Sequence, residues 1–399
     1  MSKLQVSKRT QRVIYSPIRK FLPLVLKAEA RGLEVLKINV GDPDIAPPAE
    51  FWRAVRAYHP RNLNYAPSPG YREHTAAWVK YYGSFGIKLK PANIIPTVGG
   101  AEAILFALIT VADPGDEIIV FEPLYSSYKG FAAMCNIKLV PITLKLDNGF
   151  VLPSKKIMAQ KITSKTRAIV VVNPNNPTGT ILSNKEMNDI VDLSLRHGLF
   201  IITDETYREI IFQGKQKSFL QIKRAQQNTI LVDSASKRFS APGARIGSFA
   251  SYNPAVMEAA LKLAMIRLSA PTIEQQALIP LLNHHQAYTK KITREYLKRR
   301  NLVVKALRQT KGVTVYEPQG AFYLIARLPV PNTDDFIKFM LTKFHDRKQT
   351  ILVTPAEDFY ITPGLGRDEI RIAYVLNTAK LARAMALLKK GLAAYLAQK

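Results

Sequence analysis

The sequence predicts an α/β protein in which a large, mostly parallel seven-stranded sheet is sandwiched by helices and accompanied by a smaller α+β domain. Three observations predict this class. Seven short apolar runs alternate with amphipathic segments between residues 93 and 250, the next stretch is mainly helical, and the final part mixes short strands with helices. Continuous apolar runs are typical of parallel strands that helices cover on both faces.

The strands of the large sheet are short and rich in β-branched residues, and polar or turn residues bound each of them. They are predicted at residues 94–98, 117–121, 138–142, 168–172, 200–203, 229–232 and 246–250. Sheets of this kind bind ligands at the carboxyl ends of their strands. The residues that directly follow these runs are therefore the first candidates for function.

The rest of the chain is predicted to be mainly helical. Before the sheet, Ser16-Pro17 and Gly32 favour a helix with a serine N-cap and a glycine end. Further helices are predicted at residues 50–58, 71–82, 254–267, 272–282, 284–310, 333–345 and 378–397, and strands at residues 35–40, 321–326, 351–353 and 369–374.

The length of 399 residues allows about two or three domains. We expect a large domain at residues 45–284 and a small domain formed by residues 1–44 and 285–399. No repeat or low-complexity linker separates them, so we expect the two to pack together.

Composition indicates a folded protein, with 47% hydrophobic and 22% charged residues. No run of about 18 apolar residues occurs, so no membrane span is expected. The N-terminus lacks the apolar core of a signal peptide, which favours a cytoplasmic location. Cys135 is the only cysteine and the six histidines lack ligand spacing, so neither a disulfide nor a metal ion is expected.

The formal net charge of +27 raises the question of a nucleic-acid or membrane-surface partner. Residues 1–37 carry nine Lys and Arg against two Glu, and residues 290–310 carry eight against one. Neither segment interleaves aromatic residues as a strand-binding groove does. We interpret both as solvated helix faces and do not expect a nucleic-acid partner.

The most distinctive segment is Ser-x-Ser-Lys at residues 234–237, followed by Pro-Gly-x-Arg-x-Gly. Lys237 is predicted on a loop after the strand at 229–232. Dehydration there lowers the pKa of an amine and frees it to attack a carbonyl, which is Schiff-base chemistry. The alternative is an ordinary surface lysine, because Lys and Arg together number 57.

This segment resembles the cofactor-lysine segment of the class I/II aminotransferases, which are fold type I, aspartate aminotransferase-like enzymes that use pyridoxal 5′-phosphate. The resemblance implies that Lys237 forms the Schiff base and that Arg245 binds the cofactor phosphate, with Ser234 and Ser236 beside it. A guanidinium is a permanent forked donor that suits a dianionic phosphate.

The resemblance extends to residues that follow other strands. Gly100 and Ala101 begin a helix, and their amides would hold the phosphate. Tyr125 would stack on the pyridine ring. Asn176 lies in the turn Asn-Pro-Asn-Asn-Pro-Thr-Gly and would donate to the phenolic oxygen of the cofactor. Without the resemblance, a plain turn and a core tyrosine are equally good interpretations of the first two motifs.

The Asp-x-x-Tyr motif follows the predicted strand at residues 200–203. The resemblance implies that Asp204 pairs with the pyridine nitrogen and makes the ring an electron sink, while Tyr207 donates to the phenolic oxygen. An aspartate at such a position is otherwise often only a helix cap.

Three further residues complete the resemblance, and they concern the substrate and a second protomer. Arg371 would clamp the substrate α-carboxylate, although an ion pair with Asp368 is the alternative. The backbone of Gly41 would approach the same carboxylate. Tyr65 would reach across a homodimer interface to the cofactor phosphate of the partner.

Together these matches predict an aminotransferase that moves an amino group from an L-amino acid to a 2-oxo acid, for which we expect 2-oxoglutarate. A β-lyase or decarboxylase with the same cofactor is one alternative, and a basic regulatory or nucleic-acid-binding protein on this scaffold is another. The donor stays open between aspartate, aromatic and small neutral amino acids. A dicarboxylate needs a second cation, and residues 101–111 contain no Lys or Arg.

Overall fold

The computed structural model describes residues 4–214 and 217–398. Its strands are β1 Glu34–Lys37, β2 Ile94–Thr97, β3 Glu117–Glu122, β4 Lys138–Thr143, β5 Thr166–Val172, β6 Phe200–Asp204, β7 Thr229–Ser234, β8 Gly247–Ser251, β9 Thr314–Val315, β10 Tyr323–Arg327, β11 Gln349–Leu352, β12 Thr354–Pro355 and β13 Glu369–Ala373. Its helices are α1 Lys8–Gln11, α2 Leu22–Ala30, α3 Ala49–Ala57, α4 Arg72–Gly83, α5 Gly99–Val111, α6 Ser127–Cys135, α7 Lys155–Ala159, α8 Asn184–His197, α9 Ala235–Arg238, α10 Pro254–Arg267, α11 Thr272–Asn283, α12 His285–Arg308, α13 Thr333–Thr342 and α14 Thr378–Leu396.

The large sheet contains the seven predicted strands, in the order β2-β8-β7-β6-β5-β3-β4. Strands β4, β3, β5, β6 and β7 run parallel to one another. Strand β8 runs antiparallel to both β2 and β7. The predicted class, a mostly parallel seven-stranded sheet, is therefore confirmed.

Both faces of this sheet are buried, which explains why its strands are continuous apolar runs. In β3, Ile118 and Val120 pack into one apolar cluster, whereas Ile119 and Phe121 pack into another. Helices α5 and α10 lie against the first face, and α8 contacts β5 and β6. A strand that alternated polar and apolar residues would have one solvated face.

The smaller sheets lie in the second part of the fold. A four-stranded antiparallel sheet has the order β12-β13-β10-β9, and β1 pairs in parallel with β11. One apolar cluster joins residues of α2, α12, α13 and α14 to these strands. The predicted strands at 321–326, 351–353 and 369–374 correspond to β10, β11 and β13 with small differences in their bounds.

The N-terminal helix differs from the prediction. A short 3₁₀ turn covers Pro17–Arg19, the α-helix begins only at Leu22, and the side chain of Ser16 makes no capping hydrogen bond. Pro23 explains the difference, because proline has no N–H to donate and fits only the first turn of a helix. In the described part of the chain, no helix is long and apolar enough to cross a membrane.

Candidate active site

A cavity of about 340 Å³ opens at the carboxyl ends of the sheet strands, within the size range of small-molecule sites. It brings together all of the predicted site residues except Tyr65. Those that line it are Gly41, Gly100, Ala101, Tyr125, Asn176, Asp204, Tyr207, Ser234, Ser236, Lys237, Arg245 and Arg371. We call the part around Asp204, Lys237 and Arg245 the cofactor end and the part around Gly41 and Arg371 the substrate end.

Lys237 lies on the four-residue helix α9, so the prediction of a plain loop was wrong in this detail. The hydroxyl of Ser234 caps this helix by accepting from the amide of Ser236, which turns the chain sharply at the end of β7. The side chain of Lys237 is partly buried, and its Nζ donates to the carbonyl of Gly41 at 2.8 Å.

The charge of Lys237 is unfavourable in this position. Burial lowers the pKa of Lys237 to about 8; the nearby Arg371 and Arg245 contribute to this shift, and Asp42 opposes it. The next residue, Arg238, is fully buried and paired with Asp233. Arg238 is therefore a structural cation, whereas Lys237 points its amine into the cavity with a carbonyl as its partner.

Asp204 ends β6 at the cofactor end, and it is only 5% exposed. Its carboxylate accepts from the amide of Thr206 at 3.1 Å and from the hydroxyl of Tyr128 at 3.4 Å. Burial raises the pKa of Asp204, because the carboxylate loses contact with water, and the hydrogen bonds from Thr206 and Tyr128 offset this only in part. No cation pairs with it among the residues that the structure describes, so a protonated ring nitrogen is the kind of group that this carboxylate fits.

Two polar residues and one aromatic residue lie between the ends of the cavity. Asn176 Oδ1 accepts from Arg371 Nη1 at 3.1 Å. The hydroxyl of Tyr207 donates to that of Tyr323 at 3.2 Å, and burial raises the pKa of Tyr207 well above its usual value. The ring of Tyr125 lies edge-on to Tyr128, the residue that contacts Asp204.

The remaining wall of the cofactor end fits a phosphate. Gly100 and Ala101 are in the first turn of α5, whose amides have no partner within the helix. The guanidinium of Arg245 lies against this turn and donates to the carbonyl of Val98 at 3.3 Å. Gly99 has a φ of +70°, which favours glycine, and a Cβ there would be 2.7 Å from Arg245 Nη2 and would displace the guanidinium.

At the substrate end, Arg371 is fully buried on β13 and donates to the carbonyl of Asn39 at 2.6 Å. The alternative ion pair with Asp368 is not formed, because Asp368 lies 3.6 Å from Arg327. Arg371 Nε has no hydrogen-bond partner within residues 4–214 and 217–398. A buried donor without a partner is costly, and an incoming carboxylate would satisfy it.

Gly41 lies at the substrate end, where there is no room for a larger residue. A Cβ at this position would overlap the hydroxyl of Tyr323.

Tyr323 was not identified from the sequence, although it lies in the predicted strand at residues 321–326. Thr206, Asn39 and Arg19 were also missed; Thr206 lies inside the Asp-x-x-Tyr motif, which could have indicated it. Tyr65 lies outside this cavity, with a side chain that is 78% exposed.

The fold, together with a cavity that contains a partly buried lysine, a buried carboxylate and a helix start that fits a phosphate, is typical of one class, the fold type I enzymes that work with pyridoxal 5′-phosphate. The comparison with protein families narrows this class. The chain belongs to the family described as aminotransferase class I and II, whose model matches residues 34–388.

Relatives match over nearly the whole chain. The aspartate aminotransferase of Pyrococcus horikoshii is 31% identical over 393 residues, which cover 97% of each chain. The aromatic-amino-acid aminotransferase 2 of Thermococcus litoralis is 29% identical over 397 residues, or 97% of this chain and 98% of the relative. The solved structure of alanine aminotransferase from Pyrococcus furiosus has a TM-score of 0.89 at 28% identity and covers 98% of this chain and 100% of that one.

These findings confirm the predicted family, fold class, enzyme class and cofactor. The chain is an aminotransferase, and the members of its family use pyridoxal 5′-phosphate. The names of these relatives all describe amino-group transfer, but they differ in the amino acid that donates the group.

Proposed function

We propose that this aminotransferase moves the amino group of an L-amino acid to 2-oxoglutarate through the residues gathered in the cavity. One observation supports this most strongly: the amine of Lys237, with its pKa lowered to about 8, shares the cavity with the buried carboxylate of Asp204. A neutral amine can form a covalent link to an aldehyde, and a buried carboxylate can hold a protonated ring nitrogen.

When bound, pyridoxal 5′-phosphate supplies an electron-withdrawing ring that stabilises negative charge at the substrate Cα. Lys237 Nζ would take the proton from that Cα as a general base and later return it as a general acid. Asp204 would hold the protonated ring nitrogen. Asn176 and Tyr207 would donate hydrogen bonds to the phenolic oxygen, and Tyr125 would stack on the ring.

The phosphate is proposed to lie where α5 begins. The amides of Gly100 and Ala101 and the guanidinium of Arg245 supply donors there, and the hydroxyls of Ser234 and Ser236 lie beside them. Ser234 Oγ already donates to Ser236 Oγ at 2.8 Å, which fixes the orientation of both hydroxyls.

The substrate is proposed to bind by its α-carboxylate to Arg371, next to the backbone of Gly41. Arg371 is held by Asn176 and Asn39, and its unpartnered Nε is the donor that a carboxylate would satisfy. Two parallel hydrogen bonds from one guanidinium fix both the position and the plane of the carboxylate.

The assembly is proposed to be a homodimer in which Tyr65 of one protomer reaches the cofactor phosphate held by the other. The exposure of this tyrosine, at 78%, supports the proposal. The division into a large domain at 45–284 and a small domain at 1–44 and 285–399 stays a prediction, and so does a cytoplasmic location.

The test is a single half-reaction. The holoenzyme is mixed with an amino acid and no oxo acid, and the visible absorbance is followed. An aminotransferase converts one equivalent and stops until 2-oxoglutarate is added. Continuous turnover without an oxo acid would identify a lyase or decarboxylase instead.

A further inference from the structure

The cavity contains a cation for which the proposed reaction has no role. Among the described lining residues the charged side chains are Arg19, Asp204, Lys237, Arg245 and Arg371. Four of these have tasks in the proposed function, either with the cofactor or with the α-carboxylate. Arg19 has none, and it comes from the N-terminal turn, a part of the chain that the sequence motifs did not include.

The structure holds this turn next to the α-carboxylate site. The 3₁₀ turn Pro17–Arg19 ends at Arg19, and the side chain of Asn39 donates to the carbonyl of Ile18 at 2.7 Å. The carbonyl of Asn39 accepts from Arg371 at 2.6 Å. Asn39 is itself 3% exposed. A single buried residue therefore links the backbone beside Arg19 to the arginine that would hold the substrate.

The two cations of this turn differ in their partners. Lys20 pairs with Asp334 and with Asp358, so its charge is neutralised away from the cavity. Arg19 is exposed, and within the part of the chain that the structure describes its guanidinium forms no hydrogen bond or ion pair. Its five donors are therefore available to a ligand in the cavity.

The wall around Arg19 is apolar. Ile18 and Val40 line the cavity beside it, and Val40 is 39% exposed. The acidic lining residue, Asp204, lies buried at the cofactor end. A substrate side chain that extends from Arg371 towards Arg19 would first contact the apolar side chains of Ile18 and Val40 and then the guanidinium of Arg19. This arrangement suits a side chain of methylene groups that ends in a carboxylate.

We infer that Arg19 is a specificity-determining residue, which binds the terminal carboxylate of the substrate side chain and makes acidic amino acids the preferred donors. The inference rests on the proposed function, because it assumes that Arg371 holds the α-carboxylate. Arg19 would be the second cation that a dicarboxylate substrate needs, which helix α5 does not provide because its residues include no Lys or Arg.

The kinetic test compares Arg19→Met and Arg19→Lys with Lys27→Met, which removes a charge from an exposed lysine on α2. Arg19→Met is expected to lower kcat/KM for aspartate and glutamate by about 10- to 100-fold. The value for alanine should stay within about threefold, because a neutral side chain makes no charged contact. Arg19→Lys should be intermediate, and Lys27→Met should match the wild type. An equal loss for all donors, or no loss, overturns the inference.

A second readout does not depend on turnover. Calorimetric titration of each holoenzyme with maleate, a dicarboxylate, should show weaker binding by a similar factor in Arg19→Met, while binding of acetate stays unchanged. Unchanged maleate affinity would contradict the inference even if turnover fell. If the wild type fails to react with any amino acid, the proposed function has failed; a wild type that transaminates alanine and aspartate equally well rejects only the role of Arg19.

Discussion

The two ends of the cavity hold their polar groups differently. At the cofactor end, Asp204 and Ser234 are buried and hydrogen-bonded to neighbours at the ends of β6 and β7. At the substrate end, Arg371 leaves one nitrogen without a partner among the described residues, and Arg19 is exposed. In the proposed function, the groups that would hold the cofactor are therefore fixed in advance by the ends of the sheet strands, whereas the donors for the substrate stay available until it binds.

The largest expected effect lies at the cofactor end. Lys237→Ala should abolish the visible absorbance of the bound cofactor and lower turnover by about 10⁴-fold or more, because in the proposed reaction one amine serves as both covalent link and proton carrier. Lys223→Ala, an exposed lysine before β7, is the matched control. An unchanged absorption spectrum in the Lys237→Ala protein would rule out the assignment of this lysine.

At the substrate end, the loss should be large but should leave the cofactor in place. Arg371→Lys keeps the positive charge but loses the forked pair of donors that a carboxylate needs. The value of kcat/KM should therefore fall by about 100-fold, while the visible absorbance of the bound cofactor is retained. Arg327→Lys, on neighbouring β10 and paired with Asp147, should change neither. Loss of the cofactor from the Arg371→Lys protein would show that Arg371 also contributes to cofactor binding, which contradicts the division of the cavity into a cofactor end and a substrate end.

The pH dependence sharpens the comparison further. The rate at which the apoprotein recovers its absorbance on addition of cofactor should rise about tenfold per pH unit up to about 8, since only the neutral amine of Lys237 reacts. Asp42→Asn should move the midpoint to lower pH, because Asp42 raises this pKa. A midpoint near 10.5, the ordinary value for lysine, would show that Lys237 is not desolvated.

The same pKa predicts how the stability of the apoprotein changes with pH. The folded state releases the proton of Lys237 near pH 8, whereas the unfolded chain keeps it up to about 10.5. The unfolded state therefore binds more protons in this window, and the contribution of Lys237 to stability rises with pH there. Urea unfolding at several pH values should show this trend in the wild type and not in Lys237→Ala.

The smallest effect is expected outside the cavity. Tyr65→Phe removes one hydroxyl from an exposed side chain, so the cofactor should dissociate several-fold faster and kcat should change little. Gel filtration should show a dimer for both proteins. A monomeric wild type with full activity would exclude any contribution from a second protomer.

Much of the cofactor end could be predicted from the sequence. Its residues follow strands that are continuous apolar runs, and each belongs to a short motif such as Asp-x-x-Tyr or Ser-x-Ser-Lys. Such local motifs predict a shared site because the carboxyl ends of parallel strands meet at one edge of a sheet. The strand ends therefore indicated which polar residues lie together.

The substrate end was only partly predictable, because its geometry depends on contacts between distant parts of the chain. Asn39 is hydrogen-bonded both to the turn that carries Arg19 and to Arg371, which lies 332 residues after Asn39 in the sequence. No local sequence pattern indicates such a link. Tyr323 sits in a predicted strand, yet its contact with Gly41 depends on how the smaller sheet packs. The break before α2, where Pro23 prevents a longer helix, also places Arg19 in a turn.

The antiparallel direction of β8 places Lys237 and Arg245 near the same edge of the large sheet. Because β8 starts beside the end of β7, with Gly247 opposite Ser234, the chain leaves the sheet after Ser234 and re-enters it at Gly247 at the same edge, so that Lys237 and Arg245 both lie in the intervening segment. A parallel β8 would begin at the far edge, about 17 Å away for five residues. One short segment between β7 and β8 thus sets the spacing between Lys237 and Arg245, the residues proposed to form the covalent link and to bind the phosphate.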